Sequence, residues 1–207
     1  MPDSVKDQAE TVSKSSMIEQ CKSVLNAGGT VYLGEHHEQA DARDICVAAL
    51  QAHCVQYLCL EIDYFDGMEA MSSTDLIKMV EAAEMATLFK TDRKPNPISA
   101  VDLVKIASND PGCQIVFIDK SQSKGRGYNW VDTDTNVRQK FMQTKVQECR
   151  AHVNKVGRGV LVLIGADHLV TNPDKKTIWQ ALHDIVYTGL SFVYGKCNNC
   201  YMVWQLS

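Results

Sequence analysis

Apolar residues along this chain occur in two kinds of run. Some form short unbroken blocks, and others recur every three or four positions over longer stretches. The blocks Thr30-Val31-Tyr32-Leu33, Tyr57-Leu58-Cys59-Leu60, Ile115-Val116-Phe117-Ile118 and Val160-Leu161-Val162-Leu163-Ile164 have the length and β-type content of strands buried on both faces. The periodic stretches between them predict helices. One covers 17–26 and closes at Gly28-Gly29. A second covers 39–53, with Ile45, Cys46, Ala49 and Leu50 at helical spacing. A third covers 74–89, with Ile77, Val80, Ala83 and Leu88 inward. Ser99 with Asp102 forms a capping pair that opens a helix to about 108. The stretch 135–156 places Val137, Phe141, Met142, Val146, Cys149 and Val153 on one face, and a last helix is predicted over 176–187. Runs at 190–194 and 200–205 predict two closing strands, a hairpin around Asn198-Asn199. Strands that alternate with helices and are apolar throughout predict an α/β fold, with a mostly parallel central sheet and helices on both faces.

Composition narrows the function classes. The chain has 207 residues, close to one domain, and its 45% hydrophobic content suffices for a core. The expected organisation is a polar leader over 1–16, frayed or export-type, and a single domain over 17–207. The net charge is -4 and the pI is about 5.8, so composition demands no basic face and nucleic acid is not an expected partner. No apolar stretch approaches the ~20 residues of a membrane span. Of the eight cysteines, Cys46, Cys54 and Cys59 sit in or beside apolar runs and read as small buried hydrophobes. The first 16 residues contain no apolar segment of secretory type. The expected setting is therefore a reducing compartment such as the cytoplasm; a bacterial effector acting in a host cytosol also fits.

Candidate chemistry gathers where the strands end. In open α/β sheets, ligands bind outside the carboxyl ends of the strands. The first strand runs into Gly34-Glu35-His36-His37 and the fourth into Gly165-Ala166-Asp167-His168. Glu61 and Asp63 follow the second strand, and Asp119 and Lys120 the third. Each glycine lets the backbone turn sharply off a buried strand, so that the histidine three residues on projects over the sheet edge. Imidazole suits both general base work near neutral pH and metal ligation, and Glu35 can fix its tautomer. If the segment is extended, only one of His36 and His37 points inward. The spacing selects His37, with His36 as its solvent-facing neighbour.

These motifs resemble those of a known superfamily. Gly34-Glu35-His36-His37 is similar to the G-E-x-H signature of the erythromycin-esterase-like proteins, the ChaN-like haem-uptake proteins and the TIKI/TraB proteases. The Ras/Rap1-specific endopeptidase domains of bacterial toxins share this core. Arg43 in the next helix, Glu61 at a strand end, and Arg138 on the helix before Gly165-Ala166-Asp167-His168 extend the resemblance over roughly residues 30–170. It implies a hydrolase of peptide or ester bonds, with a protein or peptide substrate preferred because the chain is close to the bare core. His37 would be the general base. His168 would orient the water or stabilise the oxyanion, and Glu35 would position His37. Glu61 with Arg43 or Arg138 would hold the scissile carbonyl. Relatives work with or without a divalent metal, for which Glu35, His37, Glu61 and His168 are the implied ligands. The alternative the resemblance carries is a haem or metal binder without turnover.

A structural reading stands beside each residue. His37 and His168 can be satisfied strand-end histidines, Glu61 a helix N-cap or a loop-fixing ion pair, and Arg43 a surface helix residue. Arg138 can be a stem covering Val137, Phe141 and Met142. His53, His152 and His183 read as surface or boundary residues. Asp132-x-Asp134-x-Asn136 lacks the glycine and glutamate of a calcium loop and reads as a helix start. Cys197-Asn198-Asn199-Cys200 reads as a turn carrying two thiols. The segment 121–130, with Tyr128 and Trp130, reads as a lid or a plain surface loop.

Overall fold

The computed structural model describes residues 10–91, 94–120, 132–166, 169, 192–197 and 200–205. Along the chain run β1 (Glu10–Thr11), α1 (Lys14–Asn26), β2 (Thr30–Glu35), α2 (Asp41–Gln51), β3 (Val55–Asp63), a 3-10 turn (Met68–Ala70), α3 (Ser73–Thr91), α4 (Ala100–Ser108), β4 (Gln114–Asp119), α5 (Asp132–Ala151), β5 (Gly159–Gly165), β6 (Phe192–Cys197) and β7 (Cys200–Gln205). The strands form one seven-stranded sheet in the order β1-β6-β7-β2-β5-β3-β4. The pairs β2–β5, β5–β3, β3–β4 and β1–β6 are parallel, and only β7 runs against its neighbours β2 and β6. The expected α/β architecture with a mostly parallel sheet is therefore present.

Side-chain alternation divides the core into two layers. Val31, Leu33, Leu58, Leu60, Leu161 and Leu163 face α1, α2, α3 and α4. Tyr32, Tyr57, Cys59, Val160, Val162 and Ile164 face Met142, Val146 and Cys149 of α5. Both faces are thus covered, which is why the strands read as unbroken apolar blocks. The connectivity places a crevice. The chain leaves β2 through α2 to reach β3, and later returns through α5 to insert β5 between those two strands. The carboxyl ends of β2, β5 and β3 therefore meet at a topological switch point, where helix connections diverge to opposite faces.

Several boundaries differ from expectation. Residues 10–16, assigned above to a polar leader, join the fold: Glu10 and Thr11 pair with Gly195 and Lys196. The first helix starts at Lys14 because the Ser13 side chain accepts from Ser16 N at 3.1 Å, and Lys14 pairs with Asp41 and Asp44 of α2. Pairing carries β3 on to Asp63, so Glu61 lies within a strand. In α3 the buried apolar positions are Leu76 and Val80, with Ile77 and Ala83 half-buried. Helix α5 spans Asp132–Ala151 rather than 135–156. The Gln56 amide of β3 donates to His152 O and accepts from the N–H groups of Asn154 and Lys155, drawing the chain out of the helix. The closing hairpin forms with Cys197 opposite Cys200, and β6 is Phe192–Cys197 rather than 190–194. The expected Ser99/Asp102 capping box is present. All eight cysteines are free thiols, and Cys46, Cys54 and Cys59 are buried as expected. The helix expected at 176–187 and the lid segment 121–130 lie outside the described residues.

Candidate active site

Strand β2 ends at Glu35, and its register partner on β5 is Gly165. The two G-x-x-H motifs therefore sit on adjacent parallel strands at the switch point. Gly34 is needed there for space. A Cβ on it would lie 2.9 Å from Leu169 Cδ1 and 3.1 Å from Ala166 Cα, so the missing side chain lets the turn after β5 pack against the end of β2.

Glu35 is 5% exposed and is held from two sides. Arg43 of α2 donates from Nε to Oε2 at 2.7 Å and from Nη2 to Oε1 at 3.0 Å, a bidentate pair. His37 Nδ1 lies 2.7 Å from Oε1. Burial pushes the Glu35 carboxyl up, but the bonds from His37 and Arg43 outweigh it and hold the group below the ordinary glutamate value. Burial works against the Arg43 cation, and its bonds to Glu35 and Glu84 outweigh that, so its pKa is raised. Arg43 also donates from Nη1 to Glu84 Oε1 at 3.1 Å and to Ile98 O at 2.8 Å. Its guanidinium is thus turned to the interior, with bonds from all three nitrogens.

Arg138 of α5 organises a second node. Its Nε donates to Asp119 Oδ1 at 2.6 Å, and Nη2 to Asp119 Oδ2 at 2.7 Å and Glu61 Oε1 at 2.5 Å. Glu61 Oε2 accepts from Gly165 N at 2.7 Å, which ties this node to the β5 turn. Among the described residues Nη1 of Arg138 makes no hydrogen bond, and the side chain is 24% exposed. Burial works against this cation too, but Asp119 and Glu61 raise its pKa strongly.

Of the six residues selected from sequence, five are placed: Glu35, Arg43 and His37 in one node, Glu61 and Arg138 in the other. His168 lies outside the described residues, although Ala166 and Leu169 flank it. His37 is 42% exposed at its side chain. His36 turns instead toward Tyr201 of β7, ring centroids 6.4 Å apart. Three further residues complete the site. Asp119, read as a rim residue, is a principal partner of Arg138. Glu84 shares Arg43 and accepts from Ala100 N at 2.6 Å. Asn96 Nδ2 donates to His37 O at 3.0 Å and Gln39 O at 2.7 Å, clipping the loop that carries His37. Glu84 was findable as an acidic residue on the inward spacing of Val80 and Ala83, and Asn96 as the polar residue between Pro95 and Pro97.

Of the residues implied as metal ligands, Glu35 accepts from Arg43 and lies against His37 Nδ1, Glu61 accepts from Arg138 and from Gly165 N, and His168 lies outside the described residues. Among the described residues no three His, Cys, Asp or Glu side chains are grouped to hold a metal. No described helix is long and apolar enough to cross a membrane. Comparison with protein-family models, curated proteins and solved structures returned no match.

Proposed function

We propose that the chain is a hydrolase of amide or ester bonds, with peptide substrates preferred, in which His37 is the general base. The observation that carries this reading is the chain of contacts from Arg43 through the Glu35 carboxylate to His37 Nδ1 at the switch point. With Nδ1–H donated to Glu35, a neutral imidazole carries its lone pair on Nε2, the nitrogen that takes a proton from water. Glu35 stabilises the imidazolium that forms, and Arg43 keeps Glu35 ionised, so the proton stays on the ring. Arg138 Nη1 supplies N–H groups for the oxygen that becomes negative in the tetrahedral intermediate. Glu61 and Asp119 fix the plane of that guanidinium. The resemblance of the G-E-x-H and G-x-x-H motifs to hydrolases of the TIKI and erythromycin-esterase-like superfamily supports the same assignment, with His168 as the second histidine.

The test is to incubate the full chain, and its Glu35→Ala, His37→Ala and His168→Ala variants, with a cytosolic proteome and map new peptide termini by mass spectrometry. Parallel arms with and without EDTA settle metal dependence. New termini that vanish in all three variants are expected, and termini that persist in His37→Ala overturn the reading. A wild type that makes no termini but shifts the Soret band of added haem would point to a ChaN-like binder.

A further inference from the structure

We propose that Cys149 and Cys59 form a peroxide-oxidisable dithiol, a modification site whose disulfide ties α5 to the interior strand β3. The proposal goes beyond the hydrolase reading and does not depend on it. Cys59 faces the α5 side of the sheet, and its S–H donates to Cys149 Sγ at 3.8 Å, from a residue 90 positions away in the chain. Among the described residues no other two cysteines share a sulfur–sulfur hydrogen bond. Cys54 and Cys200 donate instead to backbone carbonyls, to Ala49 O at 3.2 Å and to Tyr201 O at 3.7 Å. A disulfide sets its sulfurs about 2.05 Å apart, so the pair, now at 3.8 Å, closes by about 1.8 Å.

The two thiols are not equivalent. Cys149 stands in the last turn of α5, among the exposed residues Glu148, Ala151 and His152, and keeps 5% of its surface in solvent; Cys59 keeps none. The bond from Cys59 holds the Cys149 thiol below the ordinary cysteine value, against burial that pushes it up. Cys59, the donor in that bond, is pushed well up, and burial adds to the shift. The other six thiols are all pushed up, chiefly by burial. A thiolate is the nucleophile in thiol oxidation. Cys149 is therefore the sulfur that an oxidant meets first, and Cys59 the one in contact behind it.

The oxidant is hydrogen peroxide, which is close to water in size. The Cys149 thiolate attacks one peroxide oxygen, the O–O bond breaks, and hydroxide leaves to become water, so that Cys149 carries a sulfenic acid. The Cys59 sulfur then attacks the sulfenic sulfur. The S–O bond breaks, and the hydroxyl leaves with the Cys59 proton as a second water. In sum two thiols are oxidised to one disulfide and one peroxide is reduced to two waters. The product joins the strand that carries Glu61 to the helix that carries Arg138. In a reducing compartment such a bond is transient and returns to two thiols, as redox-sensing pairs do.

The experiment exposes the native full-length chain to hydrogen peroxide, removes the excess with catalase, alkylates the remaining thiols in urea and maps every cysteine by peptide mass spectrometry. Loss of the Cys59 and Cys149 thiols ahead of the other six is expected, with a cross-linked Cys59–Cys149 peptide that dithiothreitol separates. Two variants read the order of the steps. Cys59→Ser keeps a hydrogen-bond donor to Cys149 but cannot close the bond, so Cys149 should accumulate sulfenic acid and take up dimedone. Cys149→Ala should leave Cys59 reduced under the same peroxide. The proposal is overturned if Cys59 and Cys149 stay alkylatable while other cysteines are consumed, or if the cross-link forms as fast in the urea-unfolded chain as in the native one. Oxidation of Cys59 in Cys149→Ala at the wild-type rate would overturn it too. The wild-type arm needs no substitution, so it decides the matter even where a variant does not fold.

Discussion

The same three chemical groups meet at both ends of this sheet. At the carboxyl ends, Glu35 takes His37 at 2.7 Å and Arg43 at 2.7 Å. At the amino ends, Asp110 takes His53 at 2.9 Å and Arg158 at 2.8 Å. The partners of the second set are spent on the backbone. Asp110 Oδ1 accepts from Gly112 N at 2.8 Å, and Arg158 Nη1 also donates to Val55 O at 3.2 Å. A Cβ on Gly112 would collide with Arg158 Nη1, so the guanidinium lies directly against that turn. His53 itself follows α2 with φ 55°, at a point where the chain turns back into β3. This set braces three loops. The Glu35 set stands where β5 enters between β2 and β3, beside Arg138, whose Nη1 makes no hydrogen bond among the described residues. A histidine, a carboxylate and an arginine in contact do not identify an active site. Their place relative to strand direction, and what their neighbours leave unused, are what set the proposed base apart from the brace.

The largest expected difference is kinetic. His37→Ala should lower hydrolysis about 100- to 10,000-fold, measured as the rate at which new peptide termini appear, while His53→Ala leaves it unchanged. Next comes the buried ion pair. Arg43→Met strands the Glu35 charge in the interior and should cost about 3–5 kcal/mol in urea denaturation. A loss below ~1 kcal/mol would show that Glu35 is neutral or hydrated.

Acid separates the two sets further. Burial pushes the Asp110 carboxyl up, but Arg158 and His53 outweigh it and bring the pKa down to about 2. A carboxyl lowered in the folded state stabilises above its unfolded pKa and loses that contribution as pH falls through the folded one. Asp110 should therefore contribute about 2 kcal/mol above pH ~4, lost between pH ~4 and ~2. Asp110→Asn should flatten that part of the stability–pH curve; an unchanged slope would contradict the assignment. The smallest effect is that of His53→Ala. The ring is 66% exposed, and its loss should cost under ~1 kcal/mol by the same denaturation.

The sheet was legible because its strands are buried on both faces and carry their signal locally. Both G-x-x-H motifs were legible for the same reason, since each follows an apolar block directly. Register was not: that Glu35 stands opposite Gly165 depends on β5 entering between β2 and β3, a pairing that no local pattern encodes. Arg138 illustrates both sides. Its position next to an apolar seam left site and stem readings open, and the contact with Asp119 and Glu61 spans 19 and 77 residues. The end of α5 escaped because a glutamine on β3, not a residue of the helix, ends it. Glu10–Thr11 escaped because two residues of edge strand have no periodicity to read.

The most direct test is a crossed measurement on His37→Ala and His53→Ala, reading for each both the yield of new peptide termini from a proteome and the free energy of unfolding in urea. The account predicts that His37→Ala loses cleavage and stays within ~1 kcal/mol of wild-type stability, whereas His53→Ala keeps full cleavage and gives up a fraction of its stability. Cleavage that survives in His37→Ala, or that falls in both variants only in step with stability, would contradict it.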